Sequence, residues 1–164
     1  MPESLSTANE DFEAFYDRNY KLVYRICFTY MKNAHDAEDC TEDTFVKVLT
    51  GNISFNDETH EKKWLTVAAI NLCKDRLKHW WRKTTVSLDE VAELPGGNDF
   101  KIDETLAVVM TLPPKYKDVI YLHYYEGYQT DQIAAMLNRN HSTVRNQLRD
   151  ARAILKEKLG GVRQ

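Results

Sequence analysis

Glycine and proline are scarce, six and four in 164 residues. That is too few for an all-β chain with a tight turn every eight to twelve residues. Apolar runs approaching the roughly 20 residues needed to span a membrane are missing, so membrane insertion is not expected. The opening stretch MPESLSTANEDFE is acidic and polar, unlike a signal peptide. Cysteine is limited to Cys27, Cys40 and Cys73. An odd number at such wide spacing fits neither a disulfide framework nor a C-x-x-C metal clip, and reads as three reduced thiols in a cytoplasmic protein. The five histidines are scattered, with no H-E-x-x-H or Glu-x-x-His pair and no Ser or Cys nucleophile pattern. No catalytic centre, cofactor or metal is therefore expected. Positive charge is also lacking overall: 22 basic against 25 acidic residues give −3, which argues against nucleic-acid binding if the chain is taken whole.

Taken by segment, the charge separates. Residues 34–50 carry five acids (Asp36, Glu38, Asp39, Glu42, Asp43) against Lys47, a net −4. Residues 61–83 carry seven bases against two acids, a net +5, and residues 84–104 carry six acids against Lys101, a net −5. Residues 139–163 return to +5, with seven bases against Asp150 and Glu157. Two cationic segments separated by an acidic one suit contact with backbone phosphates at two places, although each block alone also fits a solvated helix face.

Helical periodicity dominates. Phe12, Phe15/Tyr16, Tyr20, Val23, Ile26/Cys27 and Tyr30 recur every three or four residues and predict a helix over about 10–31, broken at Asn33. A second stripe runs Ala37, Cys40/Thr41, Phe45, Val48/Leu49, with Gly51 as its C-terminal cap. Residues 51–60 read as a polar loop with one aromatic, Phe55. A third helix over about 61–82 follows, with Trp64 expected in the core beside Leu65. Residues 84–101 (TTVSLDEVAELPGGNDFK) lose the pattern and read as a flexible acidic linker. Periodicity returns at 102–111, pauses at Pro113-Pro114, and resumes through Val119, Ile120, Leu122 and Tyr125, with Pro114 suited to a first helical turn. The expected fold is all-α. Residues 1–9 are disordered, 10–83 form one small helical domain, 84–101 the linker, 102–160 a second helical domain and 161–164 a tail.

The most specific local pattern is EGYQTDQIAAMLNRNHSTVRNQLRDAR, residues 126–152. Thr130 can cap a short helix with Ile133, Ala134 and Leu137 inward. Residues 138–141 make a tight connector, and Ser142 can cap a longer helix with Val144, Leu148, Ala151 and Leu155 inward. A short helix, a turn and a basic helix make a helix-turn-helix, as against a plain helical hairpin. Ser142, Thr143, Arg145, Asn146 and Arg149 are then the candidates for base edges and phosphates. In the first half, bases and aromatics interleave along KKWLTVAAINLCKDRLKHWWRK, a composition suited to unpaired bases. Trp80-Trp81 could be core or base-stacking, and Asn71, mid-helix, either a satisfied buried amide or a base reader. The acidic stretch before it could be a solvated face, a metal site or a docking surface.

Together these segments resemble the small extracytoplasmic-function group of the sigma-70 family of RNA polymerase sigma factors. DAEDCTEDTF (36–45) is similar to the family's D-A-E-D-L-x-Q-E-x-F. WLTVAAIN (64–71) followed by Asp75 is similar to W-L-x-x-I-A-x-N-x-x-x-D. TLPPKYKDVIYLHYYEGY (111–128) resembles L-P-x-x-x-R-x-V-x-x-L-x-x-x-x-G, and DQIAAMLNRNHSTVRNQLRDAR (131–152) resembles E-E-I-A-x-x-L-x-x-x-x-x-T-V-x-S-R-L-x-R-A-R. The four motifs stand in the family's order across about residues 10–160. Departures are Glu42-Asp43 for Gln-Glu, Lys117 for Arg, Gln147 and Asp150 where Arg is common (two expected DNA contacts missing or altered), and Trp80-Trp81 inside a usually basic run.

The resemblance implies core RNA polymerase and promoter DNA as partners, an anti-sigma factor as a further one, and no enzymatic activity. Docking on the polymerase would fall to Asp36, Glu38, Asp39, Glu42 and Phe45. The −10 element would fall to Asn71, Lys74, Lys78, Arg82 and Lys83, with the 51–60 loop helping to capture an extruded base. The −35 element would fall to Ser142, Thr143, Arg145, Asn146, Arg149 and Arg152. Promoter sequence does not carry over. The alternative from the residues alone is a free-standing helix-turn-helix regulator whose first domain dimerises or senses a ligand.

Overall fold

The structure is a computed structural model and describes residues 9–80 and 103–162. The chain divides into two compact units, Met1–Thr85 and Val86–Gln164. The described residues are helical apart from short connections, with no strand among them. The expected disordered start, the linker and Trp81, Arg82 and Lys83 lie outside the described residues.

The first unit is three helices: α1 (Asn9–Met31), α2 (Ala34–Gly51) and α3 (Glu58–Trp80). The stripe read from α1 is its packed face, with Phe12, Tyr16 and Tyr20 half-buried and the rest buried, and α1 packs on both other helices. Phe15, Val23, Ile26, Cys27 and Tyr30 meet Ala37, Cys40, Phe45 and Val48 of α2 and Leu65, Ala69, Ile70 and Cys73 of α3, all at most 2 % exposed. Asn33 does more than end α1. Its side chain accepts from the Asp36 N–H at 2.8 Å and so starts α2, satisfying an orphan donor of the first turn.

Two boundaries differ from expectation. The left-handed residue after α2 is Asn52 (φ 54°), and Gly51 is the last helical residue. A Cβ on Gly51 would stand 3.1 Å from Ile53 Cδ1, so the glycine here serves packing rather than the cap. Next, α3 begins at Glu58, before the aromatic stripe does, because Asp57 caps it: Oδ1 accepts from the His60 N–H at 2.8 Å. The loop is therefore six residues, 52–57, and is tied down by Phe55. That ring is 6 % exposed and stacks on Phe15 with centroids 5.8 Å apart. Trp64 stands edge-on to Phe55 and is half-buried, at the rim of the core.

The second unit has α4 (Glu104–Met110), α5 (Pro114–Ile120), a π-helical turn (Tyr121–Tyr125), α6 (Thr130–Leu137) and α7 (His141–Val162). Asp103 caps α4, its Oδ1 accepting from Leu106 N–H at 2.8 Å. Pro114 takes the first turn of α5, where its missing N–H costs nothing. Two residues past the π turn, Gly127 takes a φ of 78°, a left-handed value that glycine adopts freely. A long α7 packs on α4, α5 and α6. It buries Val144, Leu148 and Ala151 against Ile133 and Ala134 of α6 and the apolar faces of α4 and α5.

Candidate nucleic-acid interface and docking face

Three residues, Asn138–Asn140, separate α6 from α7. Asn138 adopts φ 56°, and the Arg139 N–H returns to the Ala134 carbonyl at 2.9 Å, closing the end of α6. Neither expected cap holds. Gln129 precedes the first helical residue, its N–H donating to Gln132 Oε1 at 2.9 Å, while Thr130 Oγ1 lies 2.8 Å from His141 Nε2. In α7 the first turn closes on the Asn140 carbonyl, leaving Ser142 a residue within the helix. Thr130 and His141 thus link the starts of α6 and α7.

With Val144 and Leu148 buried, Ser142, Arg145, Asn146 and Arg149 stand exposed near the start of α7, and Thr143 is half-buried beside them. Arg149 is 72 % exposed at its side chain, with Asp150 a loose 3.4 Å away. The helix start also presents its partial positive charge, which favours phosphate. Arg152 is differently placed. Its Nε donates to Tyr124 Oη at 2.6 Å and its guanidinium lies 5.6 Å from that ring centroid, so it closes one side of a groove with Val109, Tyr125 and Leu155. Gln147, where an expected DNA contact is missing or altered, is engaged within the domain: its Oε1 accepts from Arg139 at 2.9 Å.

On α3, Asn71 and Lys78 are exposed and Lys74 half-buried, and their spacing places all three on one stripe. Exposure removes the buried-amide reading of Asn71. Arg76 points to another face and joins α3 to α2, with Nη1 2.8 Å from Asp39 Oδ2 and Nη2 on Asp43.

That contact changes the acidic helix. Asp39 and Asp43 share Arg76, Asp36 accepts from the Asn33 amide at 2.8 Å, and Glu42 accepts from Tyr16 Oη at 2.8 Å. Glu38 and Glu42 face the aromatic ladder Tyr16–Tyr20–Tyr24 of α1, whose neighbouring rings are 5.3 and 5.9 Å apart. Burial, helped by Glu42, raises the Tyr16 hydroxyl pKa, and burial with Glu38 raises those of Tyr20 and Tyr24. Phe45, named for the docking face, is core instead: it is 2 % exposed, with its ring 4.7 Å from Tyr16 and edge-on to Phe12 and Phe15. The exposed apolar residues on α2 are instead Val46 and Leu49, at 47 and 51 %.

Compared with known families, residues 15–83 match sigma-70 region 2 and residues 102–155 match sigma-70 region 4. The two matches are in order, and together they take in most of the chain. This chain belongs to the sigma-70 family. Among its relatives are extracytoplasmic-function sigma factors. It is 31 % identical to SigE of Mycolicibacterium smegmatis over 153 residues, covering 87 % of this chain and 58 % of that protein. It is 28 % identical to SigW of Bacillus subtilis over 156 residues, covering 84 and 82 %. The chain thus spans just over half the length of the first relative and most of the second. In fold it is similar to CnrH, solved with the cytosolic domain of CnrY, with a TM-score of 0.69 at 20 % identity over 95 % of this chain and 92 % of that one. It is similar also to RpoE from Bartonella quintana, solved with the anti-sigma factor NepR, at 0.68 and 16 % over 92 and 98 %.

Region 2 of this sigma factor therefore holds the acidic helix and the Asn71 stripe, and region 4 holds the helix-turn-helix. Sequence reasoning missed two groups of residues. Tyr16, Tyr20 and Arg76 shape the acidic face from neighbouring helices, visible only once α1, α2 and α3 are packed. The three cysteines, far apart in sequence, converge in the region 2 core and are fully buried. The neighbouring thiols of Cys27 and Cys40, with burial, raise the pKa of Cys73, while the Cys73 thiol and Arg76, 3.7 Å from Cys40 Sγ, lower that of Cys40. Among the described residues no cluster of His, Cys, Asp and Glu could hold a metal, and no helix is long and apolar enough to cross a membrane.

Proposed function

We propose that this sigma factor binds core RNA polymerase through the exposed face of α2 and directs it to promoters, working in the cytoplasm without enzymatic activity of its own. Glu38 and Glu42, with Asp36 and Asp39 held beside them, form the docking surface. The stripe Asn71, Lys74, Lys78 serves the −10 element, where an exposed amide followed by two lysines can meet a base edge while the ammonium groups neutralise phosphates. Arg82 and Lys83, next along the chain, extend the same basic run in sequence. Ser142, Thr143, Arg145, Asn146 and Arg149 serve the −35 element in a major groove. Arg152 acts at the edge of that surface through Tyr124. Region 2 and region 4 likeness, together with relatives solved in complex, supports an anti-sigma factor as a further partner.

One observation carries this reading: α7 buries one side in its own domain and presents Ser142, Arg145, Asn146 and Arg149 from the other, directly after a three-residue turn. That is how a recognition helix is offered to DNA. Purified chain added to core polymerase should give a run-off transcript from a promoter drawn from the source genome. Arg145→Ala should cut that transcript by about 10-fold or more, in the range of one lost bidentate base contact, and leave core binding unchanged. Failure to associate with core, or equal loss of core binding and transcript in Arg145→Ala, contradicts the assignment.

A further inference from the structure

Arg139 sits in the turn of the helix-turn-helix, where sequence reading counts it merely as one base in a cationic block. In the structure its guanidinium is turned inward, with a side chain 19 % exposed. Nη2 donates to Asp118 Oδ2 of α5 at 2.5 Å, and that carboxylate is fully buried. Nη1 donates to Gln147 Oε1 of α7 at 2.9 Å and reaches toward the Lys115 carbonyl at 3.4 Å. One planar group thus joins the domain's inner helix, the turn and the second turn of α7. An arginine suits this because its donors are fixed in a fork, so satisfying Asp118 leaves the other nitrogen aimed at position 147.

We infer that Arg139 is the positioning residue of the recognition helix, setting how α7 is presented to DNA by bridging buried Asp118 to Gln147. The inference rests on the proposed −35 role of α7. Gln147 is two positions from Arg145 and Arg149, one on each side, so any rotation of α7 that releases Gln147 also re-aims those two exposed arginines. At 3.6 residues per turn, positions 145 and 149 share a face and 147 lies roughly opposite, where it can anchor that face without touching DNA. The departure at 147 from the family pattern then has a physical account. With a cation supplied from the turn, the neutral amide of Gln147 completes the contact, whereas a second guanidinium there would face Arg139.

The test uses the full chain with core polymerase on two templates. One is a promoter with an intact −35 element. The other is the same DNA with −35 replaced and the −10 region held open as a mismatched bubble. Arg139→Gln should lower initiation on the intact promoter by about 10-fold, the size of one misaimed base contact, and leave bubble initiation within about twofold. Adding Gln147→Arg to Arg139→Gln returns a guanidinium to the space beside Asp118 from the helix side, and should restore most of the lost initiation. Gln147→Arg alone, placing two guanidinium groups together, should lower it. Unchanged initiation in Arg139→Gln, equal loss on both templates, or a loss that Gln147→Arg does not repair would each overturn the inference. Arg145→Ala run in parallel separates this from the parent reading. If that variant also initiates normally on the intact promoter, the −35 role of α7 is what has failed.

Discussion

At the scale of single residues, the exposure of a group and its chemistry often point to different jobs. Phe45 and Val46 are neighbours on α2, yet one is core and the other half-exposed, because successive helix positions are turned by about 100°. Tyr125 shows the same tension between ring and hydroxyl. Burial of its hydroxyl, with Asp103 adding repulsion, pushes its pKa up to about 12 from an ordinary 10.0. The folded state therefore holds this proton more tightly than the unfolded state. The stability that goes with it is complete below pH 10 and is lost as pH rises toward 12. Replacing Tyr125 with Phe removes the ionisation. Alkaline unfolding of region 4, followed by circular dichroism between those limits, should then shift to higher pH. An unchanged midpoint would show that Tyr125 ionises without strain on the fold.

Helices and their ends form the next scale, and here the sequence was only partly legible. Amphipathic stripes announced α1, α2 and α3 because a period of 3.6 requires only the chain's own order of residues. Ends were harder, since a cap is decided by which neighbouring side chain reaches a free N–H. Asp57 starts α3 inside what reads as loop, Gln129 takes the place expected for Thr130, and Asn52 rather than Gly51 turns left-handed. The site divides in the same way. Exposed positions on α3 and α7 followed from periodicity, while Arg76, Arg139 and the tyrosine ladder depend on contacts between helices that no local pattern encodes. Lys32, between α1 and α2, gives a direct measure of such an end. Its φ of 70° is left-handed, a conformation costing a non-glycine residue roughly 1–2 kcal/mol, and burial lowers its ammonium pKa. Lys32→Gly should therefore raise the stability of region 2 by about 1 kcal/mol, measured by urea unfolding at neutral pH. A loss of stability would mean that the buried stem of Lys32 outweighs its backbone strain.

Across the whole molecule, the charge of −3 hides a division of labour: acids gather on α2 and along residues 84–104, bases on α3 and α7. Backbone phosphates respond to local charge, because at 0.1 M salt fields are screened beyond about 10 Å. Affinity of the free chain for duplex DNA should accordingly depend on α7 and α3 and little on the total. Each phosphate neutralised releases counterions and contributes about 0.9 to the slope of log affinity against log salt. In the proposed −35 reading, Arg149, 72 % exposed at its side chain, neutralises a phosphate beside the groove. Arg149→Ala should then lower the slope by roughly 0.9 and weaken all duplexes alike. Asn146→Ala, at an exposed position that the same reading assigns to a base edge, should leave the slope unchanged while narrowing the gap between promoter and unrelated DNA. Fluorescence anisotropy across a salt series on both duplexes measures all of this. If Arg149→Ala instead erased sequence preference at constant slope, Arg149 would be the base reader, and the register of α7 in the groove would have to be moved accordingly.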